Sequence, residues 1–367
     1  MFLKLKNFRN IFDISVYSEG KEYSSYFINL INKISQINPS VKIIYLTSDK
    51  NDRPKFINNI NTLYIGKGSL RTIIFKIIKT KLFLLTTPEL GNFYLQRSLF
   101  CKKYIYIFHS LASIHSVYKN KAFHNYDIFF FPTMYHVKEM MRYEKIHKLH
   151  KRIVVKYGYS RLDNILIQKK EDIKITVNKK NILVAPSWGK NSITNTVADQ
   201  LIKVLLKKKY KVFFRPHPHS FKVDKKVTLQ LIKNFQKEKD FYLIDNINEI
   251  HDFKKCSIMI TDYSSVAFDF SFAFLKPLIF INLPPKINNE AYKLFKIKPI
   301  EHILRKKLGM IIEKNEIPNL HIKIQKLQNN KNLYIKSIKK LKSEMIFNIG
   351  KSDEYGAKYL ISLLKKF

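Results

Sequence analysis

Cysteine is scarce in this chain of 367 residues, which contains only Cys101 and Cys256. The two lie far apart and form neither the closely spaced pairs of a zinc site nor the framework of a disulfide-rich secreted domain. They therefore predict a protein of a reducing compartment, where disulfides do not persist.

Long uninterrupted apolar runs are also lacking. The two most apolar windows, Thr72–Thr87 and Ser257–Leu283, are each broken by three charged residues, whereas a helix that spans a bilayer needs about 20 predominantly apolar residues. Met1–Asn10 carries basic residues, but the apolar stretch of a signal peptide does not follow. We therefore expect a cytoplasmic protein, with peripheral attachment to the inner face of the cell membrane as its only membrane option.

Acidic residues are few, since 28 Asp and Glu stand against 67 Lys and Arg and give a formal net charge of +39. Lysine, asparagine and isoleucine are abundant together, which suggests a compositional drift that raises the charge without a binding role. The excess also favours polyanionic partners, either phosphate-bearing substrates or an anionic membrane surface. No RRM, zinc finger or basic heptad helix appears, so we expect no nucleic-acid partner.

Short apolar runs alternate with helical patterns along the chain, and its 46% hydrophobic content excludes disorder. Alternating strands and helices predict parallel sheets with crossover helices. A charged stretch, Gln168–Lys180, separates two such series and predicts two doubly wound domains facing a central cleft, residues 1–168 and 181–318, followed by a helical tail, 319–367. Strands are expected at Phe12–Tyr17, Val41–Leu46, Leu82–Leu85, Tyr104–Phe108, Ile128–Phe131, Ile153–Val155, Asn181–Ala185, Lys211–Arg215, Tyr242–Ile244, Ile258–Ile260 and Leu278–Ile281.

The strongest chemical signal is the run Arg215-Pro-His217-Pro-His219, which directly follows an apolar strand pattern. A proline that stops a strand places the next side chains at the carboxyl edge of the sheet, where doubly wound domains bind ligands. Arginine offers a planar fork to phosphate, and histidine can bond an oxyanion or carry a proton. A basic turn whose prolines only end the strand is the alternative.

A second signal follows the strand pattern Ile258–Ile260, where the hydroxyl-rich turn Thr261–Ser265 precedes a helix that begins at Val266. Free N–H groups at a helix start suit a diphosphate, and serine hydroxyls add donors. Asp269, one turn into the helix, is placed to accept from ribose hydroxyls. Ordinary capping of the helix is the alternative interpretation.

In combination these motifs resemble the CDP-glycerol glycerophosphotransferase family of teichoic-acid polymerase type, and the resemblance covers residues 12–315. The stretches that carry it are Tyr17–Gly20, Gly158–Asp163, Ala185–Trp188, Arg215–His219, Thr261–Asp269 and Pro277. The resemblance implies a GT-B fold, that is, two Rossmann-like domains around an active site. It also implies transfer of a polyol phosphate from a CDP-linked donor to a polysaccharide, teichoic-like polymer or lipid-linked acceptor, with release of CMP.

The resemblance also assigns roles to particular residues. It implies that His109, directly after a buried strand, is the general base. His217 is the second candidate catalytic residue, and the resemblance implies that it holds the donor diphosphate. Taken alone, His109 is equally a satisfied histidine at a strand end. The residues expected to bind the donor are Arg215, Thr261, Asp262, Ser264, Ser265, Asp269, Pro186 and Ser187. Asp262 is the single candidate metal ligand near the diphosphate, so no metal or other cofactor is assigned.

Two stretches depart from the family pattern. Ser110–Ser113 stands where the family carries Gly-Thr-Pro and a basic residue, and Ser160 replaces a proline. The first departure lies on the acceptor side and leaves open the acceptor and the transferred group. A GT-B glycosyltransferase that uses a nucleotide-sugar is therefore a first alternative, and a non-catalytic polyanion- or membrane-binding protein is a second.

The tail combines lysines with apolar residues at helical spacing, such as Ile338 and Leu341. Such a helix can rest on a membrane surface with its lysines toward lipid phosphates. Alternatively, its apolar face packs on the second domain and its lysines are solvated.

Overall fold

The computed structural model describes residues 11–58, 60–171, 177–244 and 251–367. Its strands form two sheets, in which every pair of neighbouring strands is parallel. The first sheet contains β1 (Phe12–Ser18), β2 (Ile43–Thr47), β3 (Asn61–Tyr64), β4 (Thr80–Leu85), β5 (Cys101–Ile107), β6 (Ile128–Phe131) and β7 (Ile153–Lys156). The second contains β8 (Asn178–Val184), β9 (Lys211–Phe214), β10 (Phe241–Leu243), β11 (Cys256–Thr261), β12 (Leu278–Ile281) and β13 (Gly309–Ile312).

Both sheets have the doubly wound strand order. The first runs β3-β2-β1-β4-β5-β6-β7 and the second β10-β9-β8-β11-β12-β13. The order reverses between β1 and β4 and between β8 and β11, and ligands of such sheets bind beside this switch point at the carboxyl ends of the strands. The expected α/β fold of two Rossmann-like domains is confirmed.

Helices cover both faces of each sheet, so the central strands are buried on both sides and read as continuous apolar runs. The helices of the first half are α1 (Lys21–Ser24), α2 (Ile28–Ile37), α3 (Ser69–Ile77), α4 (Ile114–Val117), α5 (Met134–Ile146) and α6 (Ser160–Glu171). Those that follow are α7 (Ile193–Thr196), α8 (Ala198–Lys207), α9 (Ser220–Val223), α10 (Lys225–Phe235), α11 (His251–Lys255), α12 (Val266–Phe274) and α13 (Ile300–Leu308). Glu290–Phe295 and Lys314–Asn319 are 3-10 helices, and the chain continues with α14 (Leu320–Asn329), α15 (Lys331–Met345) and α16 (Ser352–Leu364).

The tail consists of three helices that contact both domains. Ile338 and Leu341 of α15 are buried in the core beneath α12 and α13, so the apolar face of this helix packs on protein. Helix α16 crosses back to α2 of the first domain, where Leu360 joins the core that contains Leu30. Within the described part of the chain, no helix is both long enough and apolar enough to cross a bilayer.

Close packing at this crossing depends on Gly356. A Cβ atom at this position would lie 2.5 Å from the ring of Tyr157 and 3.1 Å from Leu30. A side chain here would therefore push α16 away from the first domain.

Sequence reasoning missed the two strands β3 and β13, which lie at sheet edges. Asn61 and Thr62 of β3 are exposed, so this strand lacks the continuous apolar run of a central strand. The stretch Gln168–Lys180 is also more ordered than expected, because α6 extends to Glu171 and β8 begins at Asn178. Its centre, 172–176, lies outside the described residues.

Candidate active site

The carboxyl ends of the two sheets face one cleft with a volume of about 780 Å³. Segments that follow β1, β4 and β5 line it from the first domain, and segments that follow β8, β9, β11 and β12 line it from the second. Of the residues predicted from sequence, the cleft brings together His109, Ser187, Arg215, His217, Ser264, Ser265 and Asp269.

His109 follows β5 and is held by a hydrogen bond of its ring. Its Nδ1 lies 3.1 Å from the carbonyl oxygen of Thr86. Because a carbonyl oxygen only accepts, Nδ1 carries the proton and Nε2 keeps its lone pair. Burial lowers the pKa of His109 to about 4, so the ring is neutral near pH 7 and can accept a proton at Nε2.

His217 has the opposite tautomer. Its Nδ1 accepts the backbone N–H of His219 at 3.1 Å, so Nε2 carries the proton of the neutral ring. Burial, together with the nearby cation of Lys286, lowers the pKa of His217 well below its usual value. His217 therefore offers a neutral N–H donor to the cleft, which suits a phosphate oxygen.

Arg215 supplies a buried cation beside His217. Its backbone N–H donates to Val184 at 2.9 Å, which continues the β8–β9 ladder, and its guanidinium lies 5.5 Å from the ring centroid of Phe253. Burial lowers the pKa of Arg215 to about 10. The side chain is still positively charged at neutral pH and is 6% exposed, so an anion in the cleft would meet a fixed, poorly hydrated cation.

Thr261, Asp262 and Pro186 do not line the cleft. Thr261 donates its hydroxyl to Ala185 at 2.6 Å. The Asp262 carboxylate accepts three backbone N–H groups, from Ser187 at 2.7 Å, Ile193 at 2.8 Å and Tyr263 at 2.6 Å.

These contacts engage Thr261 and Asp262 within the second domain, and the donor contact expected for Thr261, Asp262 and Pro186 stays a prediction. Both oxygens of Asp262 are already used by backbone donors, and burial raises the pKa of this carboxyl. Thr261 and Asp262 fix the loop after β8, which carries Ser187 into the cleft.

Asp269 lines the cleft, and one of its carboxylate oxygens is used in a contact within the protein. Its Oδ2 accepts from Nε of Arg161 at 2.7 Å, and both side chains are largely buried. Its Oδ1 is buried and has no hydrogen-bond partner among the described residues. One oxygen therefore joins the two domains, while the other retains the acceptor capacity expected for binding hydroxyls.

Within the segment Ser110–Ser113, Ser113 makes a further contact between the domains. The N–H of Ser113 donates to Oε1 of Glu301 at 2.8 Å, and its hydroxyl accepts the N–H of Ile300 at 2.7 Å. Glu301 lines the cleft, and burial raises the pKa of its carboxyl. This segment thus ties β5 to the start of α13.

Several cleft residues were not predicted to be functional. The indole of Trp188 stacks on His219, with centroids 4.9 Å apart, and Nζ of Lys286 lies 3.0 Å from the indole centroid. Trp188 lies in Ala185–Trp188, one of the stretches that carry the family resemblance, but the resemblance implies no role for it. Lys286 had no sequence signal, because one more lysine in so basic a chain is uninformative.

Two Rossmann-like domains whose strand ends share one cleft are the architecture of GT-B transferases. Within that class, the chain belongs to the CDP-glycerol:poly(glycerophosphate) glycerophosphotransferase family, whose model matches residues 12–284. This confirms the resemblance seen in the sequence.

Two relatives resemble part of the chain. It is 31% identical over 147 residues to the teichoic acid poly(glycerol phosphate) polymerase of Bacillus spizizenii, with 35% of each chain covered. It is 28% identical over 163 residues to the minor teichoic acid biosynthesis protein GgaB of Bacillus subtilis, covering 35% of this chain and 17% of that protein. The matches thus span about a third or less of these relatives' length.

Solved structures share the fold. The wall teichoic acid polymerase TagF has a TM-score of 0.60 at 17% identity, over 96% of this chain and 89% of the other. The UDP-GlcNAc 2-epimerase of Methanocaldococcus jannaschii has a TM-score of 0.57 at 12% identity, over 97% of this chain and 100% of the other. At such identities the likeness supports the architecture alone.

Proposed function

We propose that this protein transfers a polyol phosphate, of glycerol- or ribitol-phosphate type, from a CDP-linked donor to a hydroxyl of a cell-envelope polymer. The acceptor oxygen attacks the distal phosphorus of the donor, and a new P–O bond forms. The bond from that phosphorus to the bridging oxygen breaks, and CMP leaves with the electron pair. Family membership and the similarity to teichoic acid polymerases support this donor and acceptor class.

The observation that carries the proposal is the pair of opposite histidine tautomers in one cleft. His109, from the first domain, keeps a free Nε2 lone pair and is proposed to take the proton of the acceptor hydroxyl. His217, from the second, presents an Nε2–H and is proposed to donate to the donor's phosphates. Positioning and electrostatics provide most of the rate in such phosphoryl transfer.

Donor binding is proposed for the second domain, residues 181–318, and acceptor binding for the first, residues 1–168. Arg215 would neutralise the diphosphate, and Ser264 and Ser265 stand just before α12, whose N-terminal N–H groups favour anions. The charge that develops on departing CMP would meet the same groups.

The experiment that tests the reaction is incubation with CDP-glycerol, CDP-ribitol and several nucleotide-sugars in the presence of membrane-derived acceptor. Release of CMP together with incorporation of the labelled polyol phosphate is the expected result. Release of a nucleoside diphosphate with incorporated sugar would instead identify a glycosyltransferase. Binding without turnover of any donor would identify a non-catalytic protein, and parallel assays with EDTA test metal dependence.

We further propose that the protein works peripherally at the inner face of the membrane, where a soluble donor meets a lipid-linked acceptor. On the tail, Lys336, Lys339 and Lys340 of α15 are exposed, whereas the apolar face of that helix is packed on the second domain. Contact through this helix would therefore be electrostatic and without insertion.

Exposed apolar side chains of the segment between β4 and β5 also favour membrane contact. Phe93, Tyr94, Leu99 and Phe100 of this segment are each more than half exposed. Lys79 lies 5.6 Å from the ring centroid of Phe100. Exposed aromatic and aliphatic side chains flanked by lysines suit a lipid interface.

Phe93 and Tyr94 lie next to the cleft, whereas Leu99 and Phe100 precede β5 at the opposite edge of the first sheet. Asn92 and Leu95, which bracket Phe93 and Tyr94, line the acceptor side of the cleft. A lipid-linked acceptor held at Phe93 and Tyr94 would therefore lie beside the first-domain side of the cleft.

A further inference from the structure

Lys286 occupies an unusual position for a lysine in so basic a protein. It lies in the segment between β12 and the 3-10 helix Glu290–Phe295, and its side chain lines the cleft. Its ammonium is held 3.0 Å from the centroid of the Trp188 indole. No salt bridge of the described residues involves it, and burial lowers its pKa to about 7.

An anion bound beside this partly buried side chain would favour its charged form, which burial disfavours. The two nearest carboxyls are committed elsewhere, since Asp262 accepts backbone N–H groups and Oδ2 of Asp224 accepts the N–H of Gly189 at 2.7 Å. Lysine is far less hydrated over an indole face than in water, and the cation–π contact fixes where its charge lies. The side chain thus lies in the same cleft as Arg215 and His217 and makes no salt bridge among the described residues.

The backbone that carries Lys286 is tethered to the other domain. Asn288 donates its N–H to Ser116 at 2.8 Å and its side-chain amide to Val117 at 2.8 Å. Pro284 and Pro285 restrict the backbone immediately before the lysine. The ammonium is therefore placed where the two domains meet, at a position set by both.

We propose that Lys286 is a donor-binding residue that contacts the diphosphate of the CDP-linked donor. Trp188 holds its ammonium, and the link from Asn288 to the first domain orients the segment. This inference rests on the proposed function, because it names a further residue of the same donor site. It assigns to the segment after β12 a phosphate contact in addition to those of Arg215 and His217.

The test is calorimetric titration with CDP and with cytidine, which lacks phosphate. Lys286→Met should weaken CDP binding about tenfold, the lower end for a bond to a charged group, and leave cytidine binding unchanged. Lys293→Met, at an exposed lysine of the neighbouring 3-10 helix, is the matched control and should bind both ligands as the unmodified protein does.

Dependence on pH separates a charge contact from a merely structural one. Between pH 6.5 and 8.5 the ammonium loses its proton, so CDP affinity of the unmodified protein should fall relative to Lys286→Arg, which stays charged. The titratable and charged groups around Lys286 are Asp224, Asp262, His217 and His219. These groups and the CDP phosphate are common to both proteins, so the difference reports on position 286.

The outcomes distinguish this inference from the function on which it rests. If Lys286→Met binds CDP normally while Arg215→Ala does not, Lys286 is not a donor residue and the proposed function is unaffected. Equal loss of CDP and cytidine binding in Lys286→Met would also overturn the inference, because it would indicate collapse of the segment. If the unmodified protein binds no CDP, the proposed function fails and the inference fails with it.

Discussion

Nε of Arg161 lies 2.7 Å from Oδ2 of Asp269, so a buried ion pair joins α6 of the first domain to α12 of the second. The guanidinium also lies 5.8 Å from the ring centroid of Tyr26. Both side chains line the cleft, so the pair helps to set the position of His109 in the first domain relative to the proposed donor site in the second.

Removal of one partner of this pair should destabilise the protein strongly. Asp269→Ala leaves a buried guanidinium without its carboxylate, and such changes reduce the free energy of unfolding by about 3–5 kcal/mol. Chemical denaturation of Asp269→Ala, Arg161→Met and the double variant is the measurement. The double variant should lose clearly less than the sum of the two single losses, whereas additive losses would show that the pair contributes no coupling.

Replacement of His109 should abolish most of the turnover and spare donor binding. His109→Ala is expected to lower kcat by about a hundredfold or more, the usual contribution of a positioned acid–base group. The affinity for CDP should be nearly unchanged, because the residue belongs to the first domain. His150→Ala, at an exposed histidine, serves as the control, and near-normal turnover of His109→Ala would remove this residue from the mechanism.

The rate should depend on pH in a way set by the burial of His109. The ring accepts a proton only when neutral, and its pKa is lowered to about 4. Activity should therefore rise as the pH increases through about 4 and show no loss from this group between pH 6 and 7, where an ordinary histidine titrates. A profile of kcat/KM, with circular dichroism at each pH to confirm folding, is the test; an acid limb centred near 6.5 contradicts it.

Arg215 should contribute to donor affinity through its charge. Arg215→Ala is expected to weaken CDP binding by about 1.5–3 kcal/mol, the range for hydrogen bonds to charged groups. Titration calorimetry compares it with Arg53→Ala, which changes an exposed arginine. Equal CDP affinity in both variants would refute a contact between Arg215 and the diphosphate.

Membrane attachment should show two separable components. Charge reversal at Lys336, Lys339 and Lys340 should reduce sedimentation with anionic vesicles, at about 1 kcal/mol per well-placed charge. Serine at Phe93, Leu99 and Phe100 should reduce the component that resists salt. Sedimentation that is equal for neutral and anionic vesicles, or a full retention of binding in both variants, would count against these surfaces.

Much of the architecture could be predicted from sequence because parallel strands covered on both faces are continuous apolar runs. For example, the sequence predicts a strand at Leu278–Ile281, and the structure has a strand with the same bounds. The edge strand Asn61–Tyr64 could not be predicted in this way, because half of its residues are polar and it contains no continuous apolar run. Its place in the sheet comes from pairing with a neighbour that is distant in sequence.

The site could be predicted only where a motif reaches the cleft directly. Arg215 and His217 follow a strand, and their side chains line the cleft as expected. Asp262 belongs to an equally clear motif, but its carboxylate accepts hydrogen bonds from three backbone N–H groups. Partners that lie 69 or 75 positions away, as Ile193 and Ser187 do, are set by the fold and leave no local trace in the sequence.

The return of α16 to the first domain has a consequence for synthesis. The side chains of α2 that meet Leu360 and Leu363 are encoded more than three hundred codons earlier. During synthesis on the ribosome, the apolar face of α2 therefore stays exposed until Ser352–Leu364 has emerged. Domains commonly fold in order from the N-terminus during translation, but α16 follows the second domain in the chain and completes the core of the first, so a ribosome stalled before Ser352 would expose an apolar surface that chaperones bind.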